Sequence, residues 1–113
     1  MRLALAQLDF TVGDFDGNLQ KMTAAATAAS SAGADLQVFS ELATTGYPPR
    51  DLLTQAGFVD RNLDQLARVA ALSTASMGIV AGFVDRNETP GQKPLRNAVA
   101  LCEHGRVTER RYK

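Results

Sequence analysis

The sequence predicts an α/β fold on one mixed sheet, and three observations lead there. Short apolar runs at Arg2–Leu8, Leu36–Phe39 and Ile79–Val84 have the length of strands. Between them lie two stretches whose apolar residues recur at spacings of three and four, as in helices that cross over between parallel strands. The last two strand-like segments, Asn97–Glu103 and Arg106–Arg111, meet across His104-Gly105, a hairpin signal that makes this side of the sheet antiparallel.

Taken in order, Arg2–Leu8 reads as a strand buried on both faces. Gly13, Asp14, Asp16 and Gly17 break the pattern over Asp9–Gly17. Leu19, Met22, Ala26 and Ala29 then line a helix over Asn18–Ala32, with Gly33 as its C-terminal cap. Leu36–Phe39 is the second strand and ends at Ser40-Glu41. Thr44, Thr45, Gly46, Pro48 and Pro49 make Leu42–Pro49 an irregular loop, and Pro49 suits the first turn of a short helix through Asp51–Leu53. Val59, Leu63, Leu66 and Ala70 form the apolar stripe of a helix expected over Phe58–Ser76 and stopped by Gly78. Ile79–Val84 is the third strand, Asp85–Pro94 a polar loop, and the hairpin follows. No repeat or internal boundary interrupts the chain, so residues 1–113 are expected to form one unit.

Composition removes several function classes. Twelve Lys and Arg balance twelve Asp and Glu, with 45% hydrophobic and 21% charged residues, which describes an ordinary globular chain. A nucleic-acid binder needs a cationic excess, and the one basic patch, Arg106, Arg110, Arg111 and Lys113, reads as the solvated face of a strand. The longest uncharged run, Val69–Val84, is interrupted by polar residues and falls short of the ~20 apolar residues of a membrane span, so no membrane partner is expected. The N-terminal apolar stretch lacks a small-residue cleavage site and reads as a strand rather than a signal peptide. Cys102 is the only cysteine, which suits a reducing, cytoplasmic compartment.

Glu41 is the first candidate for chemistry. It follows a strand directly, and ligand sites of open α/β sheets gather at the carboxyl ends of strands. Flanked by Phe39 and Leu42, its carboxylate is expected to be partly desolvated, as suits a general base; the bland alternative is a loop glutamate capping a backbone amide. Lys113, on spacing alone, is a solvated terminal lysine. Cys102 sits inside a strand and reads as a small packed apolar residue, even though Glu103 follows it. His104 is the only histidine, so no metal site is expected, and Gly13 and Gly17 lack the lysine and spacing of a phosphate loop.

The stretch Phe39-Ser40-Glu41-Leu42-Ala43-Thr44-Thr45-Gly46-Tyr47-Pro48-Pro49-Arg50-Asp51-Leu52-Leu53 resembles the segment around the catalytic glutamate of the nitrilase superfamily, the carbon-nitrogen hydrolases. Its continuation, Pro-Pro-x-Asp-Leu-Leu, resembles more narrowly the N-terminal glutaminase domain of glutamine-dependent NAD synthetases. Leu3–Asp9 with Gly13-Asp14 and Asn18, then Asn97–Leu101, Gly105-Arg106-Val107 and Tyr112-Lys113, extend the resemblance over the chain; Ser40 departs from the usual proline. The fold it implies is the N-terminal part of an α/β/β/α sandwich with a mixed sheet whose opening strands are parallel. It also implies a Glu-Lys-Cys triad, in which Glu41 is the general base and Lys113 stabilises the oxyanion, with Tyr47 as a substrate-binding residue.

In the family the nucleophilic cysteine follows the lysine, so the resemblance implies that no nucleophile lies in this chain, that Cys102 is not it, and that the chain is cut short of the whole domain. The implied partners are glutamine as substrate, further copies of the chain in a homo-oligomer, and a C-terminal synthetase domain that amidates deamido-NAD using ATP and Mg²⁺. The glutaminase part itself needs no cofactor. Two alternatives stay open, a stand-alone amidase or carbamoylase and a non-catalytic nitrilase-like module, and the residues that follow Lys113 discriminate among them.

Overall fold

A computed structural model describes residues 1–113. Its elements are β1 (Leu3–Leu5), α1 (Phe15–Ser31), β2 (Leu36–Val38), a 3₁₀ turn (Arg50–Thr54), α2 (Phe58–Ala70), β3 (Gly78–Arg86), β4 (Leu95–Glu103) and β5 (Arg106–Tyr112). The strands form one sheet in the order β1-β2-β3-β4-β5, parallel from β1 to β3 and antiparallel from β3 to β5. This is the α/β fold with a mixed, parallel-start sheet that the pattern of runs predicts.

Both helices cover the same face of the sheet. Met22 of α1 and Leu66, Val69 and Ala70 of α2 pack on Ile79, Ala81 and Phe83 of β3 and on Ala98, Ala100 and Cys102 of β4. Because strand side chains alternate, the intervening residues point the other way, and on β1 and β4 they are left open: Leu3 is 53%, Leu5 77% and Val99 38% exposed. The expectation that β1 is buried on both faces is therefore corrected. It is an edge strand with one bare face, and only Ala4 meets the α1 side.

Other boundaries shift for local reasons. Helix α1 begins three residues before Asn18, because the Asp14 carboxylate accepts the Gly17 N–H and caps the first turn. Helix α2 stops at Ala70, short of Ser76: the Ser73 hydroxyl donates to the Ala70 carbonyl, and the Thr74 hydroxyl accepts the N–H groups of Ser76 and Met77. Strand β3 continues through Asp85 and Arg86, which the polar pattern places in a loop. The Asp85 carboxylate tolerates burial because Arg110 Nη1 (3.0 Å) and the Tyr112 hydroxyl (3.1 Å) donate to it from β5. Arg96 stacks over the Tyr112 ring, so the end of β5 is held from two sides.

Strand β3 is far longer than β2, and its edge beyond Val80 must find other partners. Asn62 of α2, wholly buried, supplies them at Val84. Its Nδ2 donates to the carbonyls of Val84 (2.6 Å) and Val59 (3.2 Å), and its Oδ1 accepts the Val84 N–H (3.0 Å) and the Thr44 hydroxyl (2.6 Å). Asn18 of α1 does the same for the loop after β1, accepting the Thr11 N–H (2.9 Å) and donating to its carbonyl (2.8 Å).

Asn62→Leu keeps the volume but strands the Val84 amide group and the Thr44 hydroxyl, at about 1–3 kcal/mol for each buried group left unpaired. We expect a loss on the order of 3 kcal/mol or more in urea denaturation. Burial in the core pushes the Cys102 thiol up from 9.0 to about 11, against a smaller opposing pull from Arg110. The folded state therefore holds this proton more tightly than the unfolded chain. Its contribution to stability is intact below pH 9.0 and is lost as pH rises towards about 11. Denaturation midpoints should fall across that window in the parent and not in Cys102→Ala, and the native thiol should resist alkylation at neutral pH.

Candidate active site

The site is built where the chain leaves β2. Phe39 still pairs with β3, its N–H reaching the Val80 carbonyl at 2.8 Å. Ser40 and Thr44 take up the next positions: the Ser40 carbonyl accepts the Gly82 N–H (3.3 Å), and the Thr44 N–H reaches the Gly82 carbonyl (3.2 Å). Residues 41–43 must arch over Gly82 between these two bonds, and only glycine leaves room. A Cβ there would lie 2.4 Å from the Leu42 nitrogen and 2.9 Å from Glu41 Cα. Leu42 itself adopts φ 49°, a sparsely populated region for a leucine, and is held there by burial of its side chain.

The loop after β1 braces this arch. The Gly13 N–H donates to the Thr45 carbonyl at 2.9 Å, and Gly46, at φ 79°, lies so close that a Cβ would stand 2.9 Å from Val12 Cα. Leu42–Gly46 is consequently buried, although its composition reads as an ordinary surface loop.

From the crest of the arch Glu41 reaches the bare side of the sheet. Lys113 Nζ lies 3.6 Å from Glu41 Oε1, and Asn97 Nδ2 donates to the same oxygen. The Lys113 main-chain N–H also bonds the Asn97 carbonyl at 3.0 Å, so Asn97 touches both residues. These groups border a cleft of about 420 Å³ floored by Val38, Val80 and Val99, with Arg111 at its rim. The Glu41 side chain is 49% exposed, because Phe39 turns into the helix-side core while Glu41 faces the uncovered side. An ion pair this open adds only ~0–1 kcal/mol of stability. Its chemical content is a proton acceptor beside a cation that can meet developing negative charge.

The other candidates lie elsewhere. Cys102 faces the helices with Ala98 and Ala100, on the side of the sheet opposite the cleft, as a packed strand residue should. Tyr47 is 65% exposed, makes no side-chain hydrogen bond, and is not among the residues bordering the cleft. His104 is exposed in the β4–β5 turn at φ 53°. Asn97 is the site residue that motif reading passes over, for it reads as the start of an apolar strand, although β4 begins at Leu95. A polar side chain at that position, on the face opposite Ala98, is the signal that would have found it.

Residues 2–113 match the carbon-nitrogen hydrolase family. The glutamine-dependent NAD(+) synthetase of Synechocystis is 39% identical over 110 residues, covering 95% of this chain and 20% of that protein. The glutamine-dependent NAD+ synthetase of Acinetobacter baumannii superposes with a TM-score of 0.84 at 34% identity, over 98% of this chain and 20% of that one. An amidase from Nesterenkonia sp. superposes equally well, with a TM-score of 0.84 at 27% identity over all of this chain and 42% of its own. A mutant of that amidase carries the acetamide moiety of fluoroacetamide covalently at its active-site cysteine. The chain spans about a fifth of the length of the synthetases it matches. With its sequence matched from Arg2 to Lys113 and its fold shared with both kinds of enzyme, the chain belongs to the carbon-nitrogen hydrolase family.

Proposed function

We propose that this chain is the N-terminal part of a glutaminase domain, working within a glutamine-dependent NAD synthetase. The observation that carries the reading is the meeting on one cleft of Glu41 and Lys113, which are far apart in the sequence. A cysteine from a later segment attacks the side-chain amide carbon of glutamine. Glu41 takes the thiol proton as the C–S bond forms and Lys113 faces the oxyanion; Glu41 then returns the proton to the leaving nitrogen. The C–N bond breaks, ammonia departs, and a thioester remains. Water activated by Glu41 cleaves the thioester, which restores the thiol and releases glutamate. Cys102 takes no part, since the sheet separates it from the cleft and burial keeps it protonated. Tyr47 enters this reading as a substrate contact made once the loop is packed by the rest of the domain.

The ammonia is used by a C-terminal synthetase domain that binds ATP, Mg²⁺ and deamido-NAD. The first turn of α1 is capped by the Asp14 carboxylate, which accepts the Gly17 N–H. The single buried thiol suits a cytoplasmic setting, no helix is long and apolar enough to cross a membrane, and the bare apolar strand face suits assembly into an oligomer. The amidase superposition supports a second reading, in which the same cleft hydrolyses another small amide. The 39% identity to the Synechocystis synthetase, against 27% to the amidase, and the Pro48-Pro49-Arg50-Asp51-Leu52-Leu53 stretch favour the first.

In the full-length protein, Glu41→Gln and Lys113→Ala should each lower glutamine-driven NAD synthesis, the lysine change by on the order of 10²–10³ as for loss of an oxyanion donor. Ammonia-driven synthesis should be unchanged in both. A parallel fall in the two activities would make Glu41 and Lys113 structural residues. The 113-residue chain alone should not hydrolyse glutamine, and hydrolysis abolished by Cys102→Ser would overturn the role given to Cys102.

A further inference from the structure

We propose that Asn97 is a positioning residue that fixes which oxygen of Glu41 carries the proton. The inference deepens the glutaminase reading and rests on it. The Asn97 amide donates to Glu41 Oε1, and the nearest approach of the Lys113 ammonium is to that same oxygen. Oε2 accepts no hydrogen bond and is the oxygen left to take a proton from a thiol and give it to a leaving nitrogen. Without the amide, nothing but a half-exposed ion pair orients the carboxylate, and it can turn about its terminal bond.

Asn97 is well placed for this task because it is itself fixed. It pairs with Val84 in the β3–β4 ladder, and Val84 is held on its other edge by Asn62. Its carbonyl accepts the Lys113 N–H at 3.0 Å, so one residue sets Glu41 by its side chain and Lys113 by its main chain. The charged or titratable groups bordering the cleft besides Glu41 are Arg111 and Tyr112 of β5 and Lys113, which follows it; β2, β3 and β4 contribute none. Tyr112 directs its hydroxyl to Asp85 on the opposite face.

The test uses the full-length protein with two variants. Asn97→Asp keeps the shape and the main-chain bond to Lys113 but replaces the donor with a second carboxylate. Like charge disfavours ionisation of the base, so the acidic limb of the pH profile of glutamine-driven kcat/KM should move up by ~1 pH unit. Asn97→Ala removes the donor without adding charge and should lower kcat by on the order of 10²-fold with little change in KM, the cost of a misoriented base. Ammonia-driven synthesis should be retained in both. If both variants keep the parent kcat and acidic limb, or lose the two activities in parallel, the role of Asn97 is overturned. A parent protein without glutamine-driven activity would instead overturn the glutaminase reading, before any variant is made.

Discussion

The site depends on how the overhanging edge of β3 is satisfied. Three residues of β2 run beside nine of β3, so the peptide groups of Gly82 and Val84 face a position where no strand follows. Buried peptide groups left without partners are costly, and the chain answers with two substitutes for a strand. The Asn62 amide presents a donor and an acceptor to Val84 as a neighbouring backbone would, and Ser40 and Thr44 do the same for Gly82. Glu41 lies between Ser40 and Thr44. Its location is thus a by-product of a hydrogen-bond requirement, and Thr44, bonded to both Gly82 and Asn62, ties the arch to the helix layer.

The sheet then sorts the residues chemically. With a period of two along each strand, Ala98, Ala100 and Cys102 fall under the helices while Asn97, Val99 and Leu101 fall on the other face. The β4–β5 pairing carries the alternation across the hairpin. Arg110 and Tyr112 reach Asp85 on the helix side, and Arg111 and Lys113 border the cleft. One residue of slip in that ladder would exchange the two sets. The Asp85 cluster opposes such a slip, since a buried carboxylate would lose both donors that β5 supplies. The face bearing the cleft also exposes Leu3, Leu5 and Val99, an apolar surface of the kind that marks contact with other protein.

Element types were legible throughout because they follow from neighbours in sequence: spacings of three and four in α1 and α2, apolar runs in the strands, and a turn dipeptide at His104-Gly105. Boundaries failed where a side chain decided them. Asp14 extends α1 backwards, Ser73 and Thr74 end α2 early, and the partners of Asp85 draw a residue with loop character into a strand. Glu41 was visible as a carboxylate at a strand end, and the resemblance of Phe39–Leu53 attached a role to it. Its side chain stays 49% exposed, because Phe39 turns into the helix-side core while Glu41 faces the uncovered side.

By itself, then, the sequence determined the class of fold, the order of its strands and helices, the strand end on which Glu41 stands, and the packing of Cys102 as a small buried residue. Local periodicity and turn chemistry suffice for the first three, and the lone place of Cys102 within a strand for the last. Only the tertiary structure decided that Lys113 lies beside Glu41, that Asn97 joins the two, and that Asn62 and Gly82 are what hold the arch in place. Those contacts join residues tens of positions apart across a sheet and a helix. They exist because unpaired backbone at the edge of β3 had to be met, which no local pattern records.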